Sequence, residues 1–240
     1  MKSLRIPLAL SLPVVIFAAA VAASVYFGWW IPNERAAGPY AVRGIDVSHH
    51  QGKIDWSQVR KAGVQFAYLK ATEGDSFRDD TFQWNFAHAA GEGVVPGAYH
   101  FYRLGVSGEA QARLFIEVVP RETWSLPAAV DLEFSGYNRS HTQDVADFQR
   151  DFGRFCQLLS EQYHRAPVLY VTADFRARYL ASAPVRQLWV RNLFFAPAEK
   201  NWTFWQFTNR GRVPGIAGFV DLNVFNGSRP EFDALRGDSR

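Results

Sequence analysis

Residues 127–134 read PAAVDLEF, and the reading of this stretch decides the fold. Its apolar residues and length are those of a strand buried on both faces, yet Asp131 and Glu133 stand two positions apart within it. In an extended chain positions i and i+2 point the same way, which puts their α-carbons about 6.5 to 7 Å apart on one face. A buried, unpaired carboxylate is costly, so two on one face imply an opening at the end of the strand.

Seven more strand-like runs surround this one, at 43–48, 64–74, 95–102, 168–172, 187–192, 203–208 and 219–225. Helix-patterned stretches separate the early ones: IDWSQVRKAG, RDDTFQWNFAHAAGEG, SGEAQARLFIEVV and HTQDVADFQRDFGRFCQLLSEQYH. The last three connections are short. Strands alternating with helices imply a mainly parallel sheet, and eight strands imply a barrel whose final part has lost most of its helices. Parity supports this. One face carries Asp46 and Ser48, Lys70 and Thr72, His100 and Tyr102, Asp131 and Glu133, Tyr170 and Thr172, Trp189 and Arg191, Gln206, and Asp221 and Asn223, while the opposite face is mostly apolar. Polar side chains facing inward belong at the mouth of such a barrel, so Asp46 from the first strand and Asp221 from the eighth join Asp131 and Glu133 in one cleft.

Carboxyls that close raise one another's proton affinity, and the least solvated one stays protonated near neutral pH, as a general acid requires. A leaving glycosidic oxygen needs such a proton donor, and the positive charge growing on the sugar needs a nearby anion. Sugar faces also pack on aromatic rings. Tyr99 or Tyr102, Tyr170, Trp189 and Trp205 are candidates for that, with His100, Gln206 and Asn223 for hydrogen bonds; any single ring in so aromatic a chain is as readily a core residue. Glu73 either lines the mouth or caps the loop after its strand. His49 and His50 are adjacent and point to different sides, and the single Cys156 lies on the apolar stripe of a helix. Neither supplies a metal cluster, and no metal or cofactor is expected.

The 240 residues are 48% hydrophobic, 15% aromatic and 20% charged, with a formal net charge of +3. That is a globular composition for one moderately large domain, and the scattered Lys and Arg give no nucleic-acid footprint. A monomer is the expectation. From Ile6 to Asn33 there is no charge, and Lys2 and Arg5 precede the run. At about 1.5 Å rise per residue a helix here would cross a hydrocarbon core of about 30 Å, with Tyr26, Trp29 and Trp30 as an aromatic belt. Residues 1–31 are therefore read as a cytoplasmic stub and single-pass transmembrane anchor, with a cleavable signal peptide as the alternative. Either places the rest of the chain on the periplasmic or extracellular side of the envelope. Residues 32–42 read as a linker, 43–235 as the barrel and 236–240 as a disordered tail.

GIDVSHHQG at 44–52 with IDW at 54–56, KATEG at 70–74, GAYHFY at 97–102, VDLE at 130–133, and FWQF followed by GIAGFVDLNVFNG within 204–227 together resemble the lysozymes of glycoside hydrolase family 25. The resemblance runs from Arg43 to about Phe232. It implies a (β/α)5(β)3 barrel, a modified form of the eight-stranded α/β barrel, that cleaves the β-1,4 bond between N-acetylmuramic acid and N-acetylglucosamine in peptidoglycan. It further implies Glu133 as general acid, Asp131 as the partner of the substrate's 2-acetamido group, and Asp46 and Asp221 as the remaining acids of the cleft. Arg191 departs from the family, many of whose members carry a small or aromatic residue there. A catalytically silent peptidoglycan-binding module and a hydrolase of another acetamido polymer such as chitin are the alternative readings.

Overall fold

The computed structural model describes residues 8–119, 121, 126–181 and 185–236. Its centre is a closed barrel. Strands β1 (Arg43–Val47), β2 (Phe66–Glu73), β4 (Val95–Phe101), β5 (Ala129–Leu132), β6 (Val168–Val171), β7 (Leu188–Arg191), β8 (Phe204–Gly211) and β9 (Val220–Phe225) follow one another around it, and β1 pairs with both β2 and β9 to close the ring. The short β3 (Phe77–Arg78) folds back on β2 as a hairpin arm outside the ring. Pairings from β1 to β8 are parallel, whereas β9 runs antiparallel to both neighbours. Parallel neighbours need long crossovers and antiparallel ones do not, so helices cover only part of the ring.

Five connections carry those helices: α3 (Trp56–Lys61), α4 (Phe82–Gly91), α5 (Gly108–Val118), α6 (Val145–Tyr163) and α7 (Ala173–Tyr179). Helix α7 has only seven residues, and its pattern is too short to stand out in the sequence. α6 shows why these stretches become helices: Asp144 caps its N-terminus by accepting from the Ala146 and Asp147 amides, and Phe148, Phe152, Phe155, Leu159 and Tyr163 form one buried stripe. Cys156 packs beside that stripe, and burial pushes its thiol up to about 12, which leaves it inert.

Inside the ring, Phe66, Phe204 and Phe225 fill the lower end, and Phe232 of α8 (Arg229–Leu235) closes it from below. Tyr68, Trp189 and Tyr170 form the next layer, with Tyr68 and Trp189 centroids 4.8 Å apart. Gly97 makes room for this layer, since a Cβ there would lie 2.6 Å from the Tyr68 ring. Below these two layers the bore is filled, and the cavity opens at the upper end.

The N-terminal expectations need correction. A helix, α1, spans Leu8–Tyr26, but it stops well short of Asn33 because the chain turns at Gly28, whose φ of +68° suits glycine. Among the described residues no helix is long and apolar enough to cross a membrane. Tyr26 stacks under the Arg210 guanidinium, 4.8 Å from ring centroid to Cζ, so the end of α1 lies against the barrel. Nor is 32–42 a free linker. It forms the short helix α2 (Glu34–Ala37), buries Ala37 and Val42, and ties down Asn33 through bonds from its side-chain amide to the carbonyls of Asn192 and Phe207. The tail expected at 236–240 lies, beyond Arg236, outside the described residues.

Candidate active site

The open end of the barrel holds a cavity of about 390 Å³ lined by Asp46, Asp131, Glu133 and Asp221 together with Lys70, Glu73, Tyr99, Tyr170, Trp189 and Gln206. Each acid arrives by a different local route. Asp46 is on β1 and Asp131 on β5, both pointing up the bore. Glu133 follows the end of β5 and accepts a hydrogen bond of 2.5 Å from the Ser135 hydroxyl. Asp221 is near the start of β9, and because that strand runs downward its first residues are at the mouth.

Asp46 and Asp221 are register partners across the β1–β9 pair, and their carboxyls hydrogen-bond each other. Burial, reinforced by the Asp221 charge, pushes Asp46 well above the usual carboxylate range; a bond from the Asn223 amide to its Oδ2, 2.7 Å, opposes that only in part. Burial also raises Asp221, to about 6, against the opposing pull of the bond from Asp46 and of the Arg191 guanidinium. Asp131 is raised well above its ordinary value by burial and then by Glu133, with Lys70 pulling the other way, and its Oδ1 is buried without a hydrogen-bond partner in the protein. A buried carboxylate oxygen left without a donor is costly and is kept where the group has a use other than packing.

Lys70, on the inward parity, and Glu73, which parity left open, both line the cavity. The Lys70 ammonium lies 2.5 Å from Glu73 Oε2 and faces the rings of Phe77 and Phe101. Burial alone would raise the Glu73 carboxyl, but Lys70 and Arg103, the latter 2.7 Å away, hold it below its ordinary value. Glu73 reaches the mouth because β2 carries a bulge between Lys70 and Thr72, which reverses the facing of the residues beyond it.

Of the aromatic and polar candidates, Tyr99, Tyr170, Trp189 and Gln206 line the cavity, with the Tyr170 hydroxyl donating to Gln206 Oε1 at 2.8 Å. Arg191 is half-buried at the rim, one inward position above Trp189. Four others are not on the cavity wall. His100 is fully buried outside the ring, where Thr72 Oγ1 meets its Nδ1 at 2.7 Å and Gln111 Oε1 its Nε2 at 3.1 Å. Tyr102 packs among Phe148, Phe152 and Phe155. Trp205 faces outward and donates its indole N–H to the Asn192 carbonyl at 2.9 Å. Asn223 lies beneath the floor, accepting from the Trp189 indole at 2.8 Å while donating to Asp46. On β4 the inward residues are Tyr99 and Phe101, and the polar His100 faces the outer layer, where Thr72 and Gln111 satisfy it.

The sequence profile of the glycosyl hydrolases family 25 matches residues 45–216. Lysozyme M1 of Streptomyces globisporus is 39% identical over 230 residues, which cover 87% of this chain and 76% of that protein. A family 25 glycosyl hydrolase structure from Bacillus anthracis superposes with a TM-score of 0.76 at 34% identity, covering 82% of this chain and 94% of the other. The bacterial lysozyme structure from Streptomyces coelicolor gives 0.75 at 34% identity, covering 84% and 100%.

Proposed function

The chain belongs to the glycosyl hydrolases of family 25, and from that premise we propose that it is a peptidoglycan muramidase working through the four carboxyls of its cleft. The observation that carries this is the convergence of Asp46, Asp131, Glu133 and Asp221 on one cavity. The cavity volume falls in the range of small-molecule sites.

Glu133 is the general acid: it gives its proton to the glycosidic oxygen between N-acetylmuramic acid and N-acetylglucosamine as the C–O bond breaks. Asp131 accepts the acetamido N–H on its carboxylate. That contact turns the acetamido carbonyl oxygen toward the anomeric carbon and stabilises the positively charged ring formed when this oxygen attacks, so no protein nucleophile is needed. The bond to the substrate also repays the desolvation that raises Asp131 in the empty cleft. Asp46 and Asp221 share a proton beneath the sugar, and their single net charge supports the developing cation without the repulsion of two. Tyr99, Tyr170 and Trp189 supply ring faces and edges for the sugar, and Gln206 a hydrogen-bonding side chain.

Peptidoglycan lies outside the cytoplasmic membrane, so the barrel acts on the periplasmic or extracellular side. The charge-free N-terminal segment supports delivery there. A shortened chain in the envelope fraction would agree with delivery by a cleaved signal peptide; full-length protein confined to the cytoplasm would contradict it.

Release of reducing ends from purified peptidoglycan tests the activity. Turnover by the wild type that falls at least a hundredfold in Glu133→Gln is the expected result. Glycan binding without turnover in either form would leave a binding module instead.

A further inference from the structure

Arg191 ends β7 at the cleft rim and has no evident structural purpose. Its neighbour in register is Gln206, and two residues before it on the same face is Trp189, both of which line the cavity. The side chain is half-buried, yet among the described residues it makes neither an ion pair nor a hydrogen bond. The other cations beside the cleft are already engaged: Lys70 and Arg103 both pair with Glu73. A partly desolvated guanidinium that makes no direct bond to the protein is unfavourable unless a bonding partner arrives with the ligand.

We propose that Arg191 is a specificity residue that binds a carboxylate carried by the sugar substrate, namely one of the peptide attached to the muramoyl residue. This rests on the muramidase reading and narrows it. A cleft built around four acids repels an anionic glycan, and a planar cation at its edge offsets that while presenting two parallel N–H donors to a carboxylate. Chitin-type polymers carry no such group and gain nothing from it. Arg191 also faces Asp221 and draws that carboxyl downward, so its replacement has a second, indirect effect that the experiment must separate.

The test compares wild type, Arg191→Ala and Arg191→Lys on two preparations of one peptidoglycan: untreated, and with its carboxyls converted to neutral amides. Folding of each variant is checked by thermal melting. On untreated glycan Arg191→Ala should raise KM about tenfold, the scale of losing one charge-assisted hydrogen bond, with kcat within a factor of two and Arg191→Lys between the two. On amidated glycan the three proteins should converge to within a factor of two in KM. An equal rise in KM on both preparations would overturn the assignment, as would a fall in kcat with a displaced pH profile, since either shows Arg191 acting through Asp221 or through packing. No cleavage of either preparation by the wild type would instead remove the muramidase reading, and the assignment with it.

Discussion

Asp46 and Asp221 are cross-strand partners on β1 and β9, and their carboxyls share a hydrogen bond at the floor of the cleft. The antiparallel last strand creates this relationship. Had β9 been parallel, its acid-bearing end would lie at the opposite, sealed end of the barrel.

That pair has a consequence for stability. Asp221 is raised from 3.8 to about 6 by burial, so between those values the folded chain keeps a proton that the unfolded chain has released. Stability contributed by this group therefore falls as pH rises from about 4 to 6, by about 3 kcal/mol at most. Melting temperatures measured from pH 4 to 7 should show Asp221→Asn more stable than wild type at pH 7, with the gap closing toward pH 4. A constant gap would contradict the raised acid.

His100 gives the opposite slope. Burial lowers its imidazole from 6.5 to about 4, so the folded chain holds it neutral where the unfolded chain would protonate it. Stability is fully present above pH 6.5 and is lost as pH falls toward 4, by about 3 kcal/mol. His100→Gln should flatten the acid side of the melting profile and leave KM for glycan unchanged. A raised KM would return His100 to the substrate site.

Asp131 should show the signature of a residue kept for chemistry rather than folding. Asparagine fits its place and removes a buried ionisable group, while the proposed contact with the acetamido N–H loses its charge. Asp131→Asn should match or exceed wild-type stability at pH 7 by denaturant titration while losing about two orders of magnitude or more in kcat. Loss of stability together with activity would point to a structural role.

Asn223 should behave in the reverse way. Its side chain joins the Trp189 indole to Asp46 below the substrate, and Asn223→Leu strands both partners in a dry environment. A loss of roughly 2 to 4 kcal/mol in urea unfolding is expected, with activity falling because Asp46 is no longer held.

The ring of alternating strands and helices was legible in the sequence because barrel strands obey a period of two and their helices a period near 3.6, and PAAVDLEF announced the acids through a conflict between burial and charge. The sixth strand, LWVRN, likewise placed Trp189 and Arg191 on one face. Local patterning did not reveal the bulge after Lys70 or the hidden partners of His100, since both depend on residues far away in the chain. Nor did the unbroken apolar run at the N-terminus disclose the turn at Gly28 that ends α1.

The order of the chain alone determined which residue types alternate along each strand, and hence that four carboxyls would point into the bore rather than toward the helices. Tertiary structure alone decided their chemistry. Proton affinity depends on what water is excluded and which charges stand opposite, and those are set by ring closure between β1 and β9, by the packing of Tyr68, Trp189 and Tyr170 beneath the site, and by the distant amides and cations that closure brings alongside.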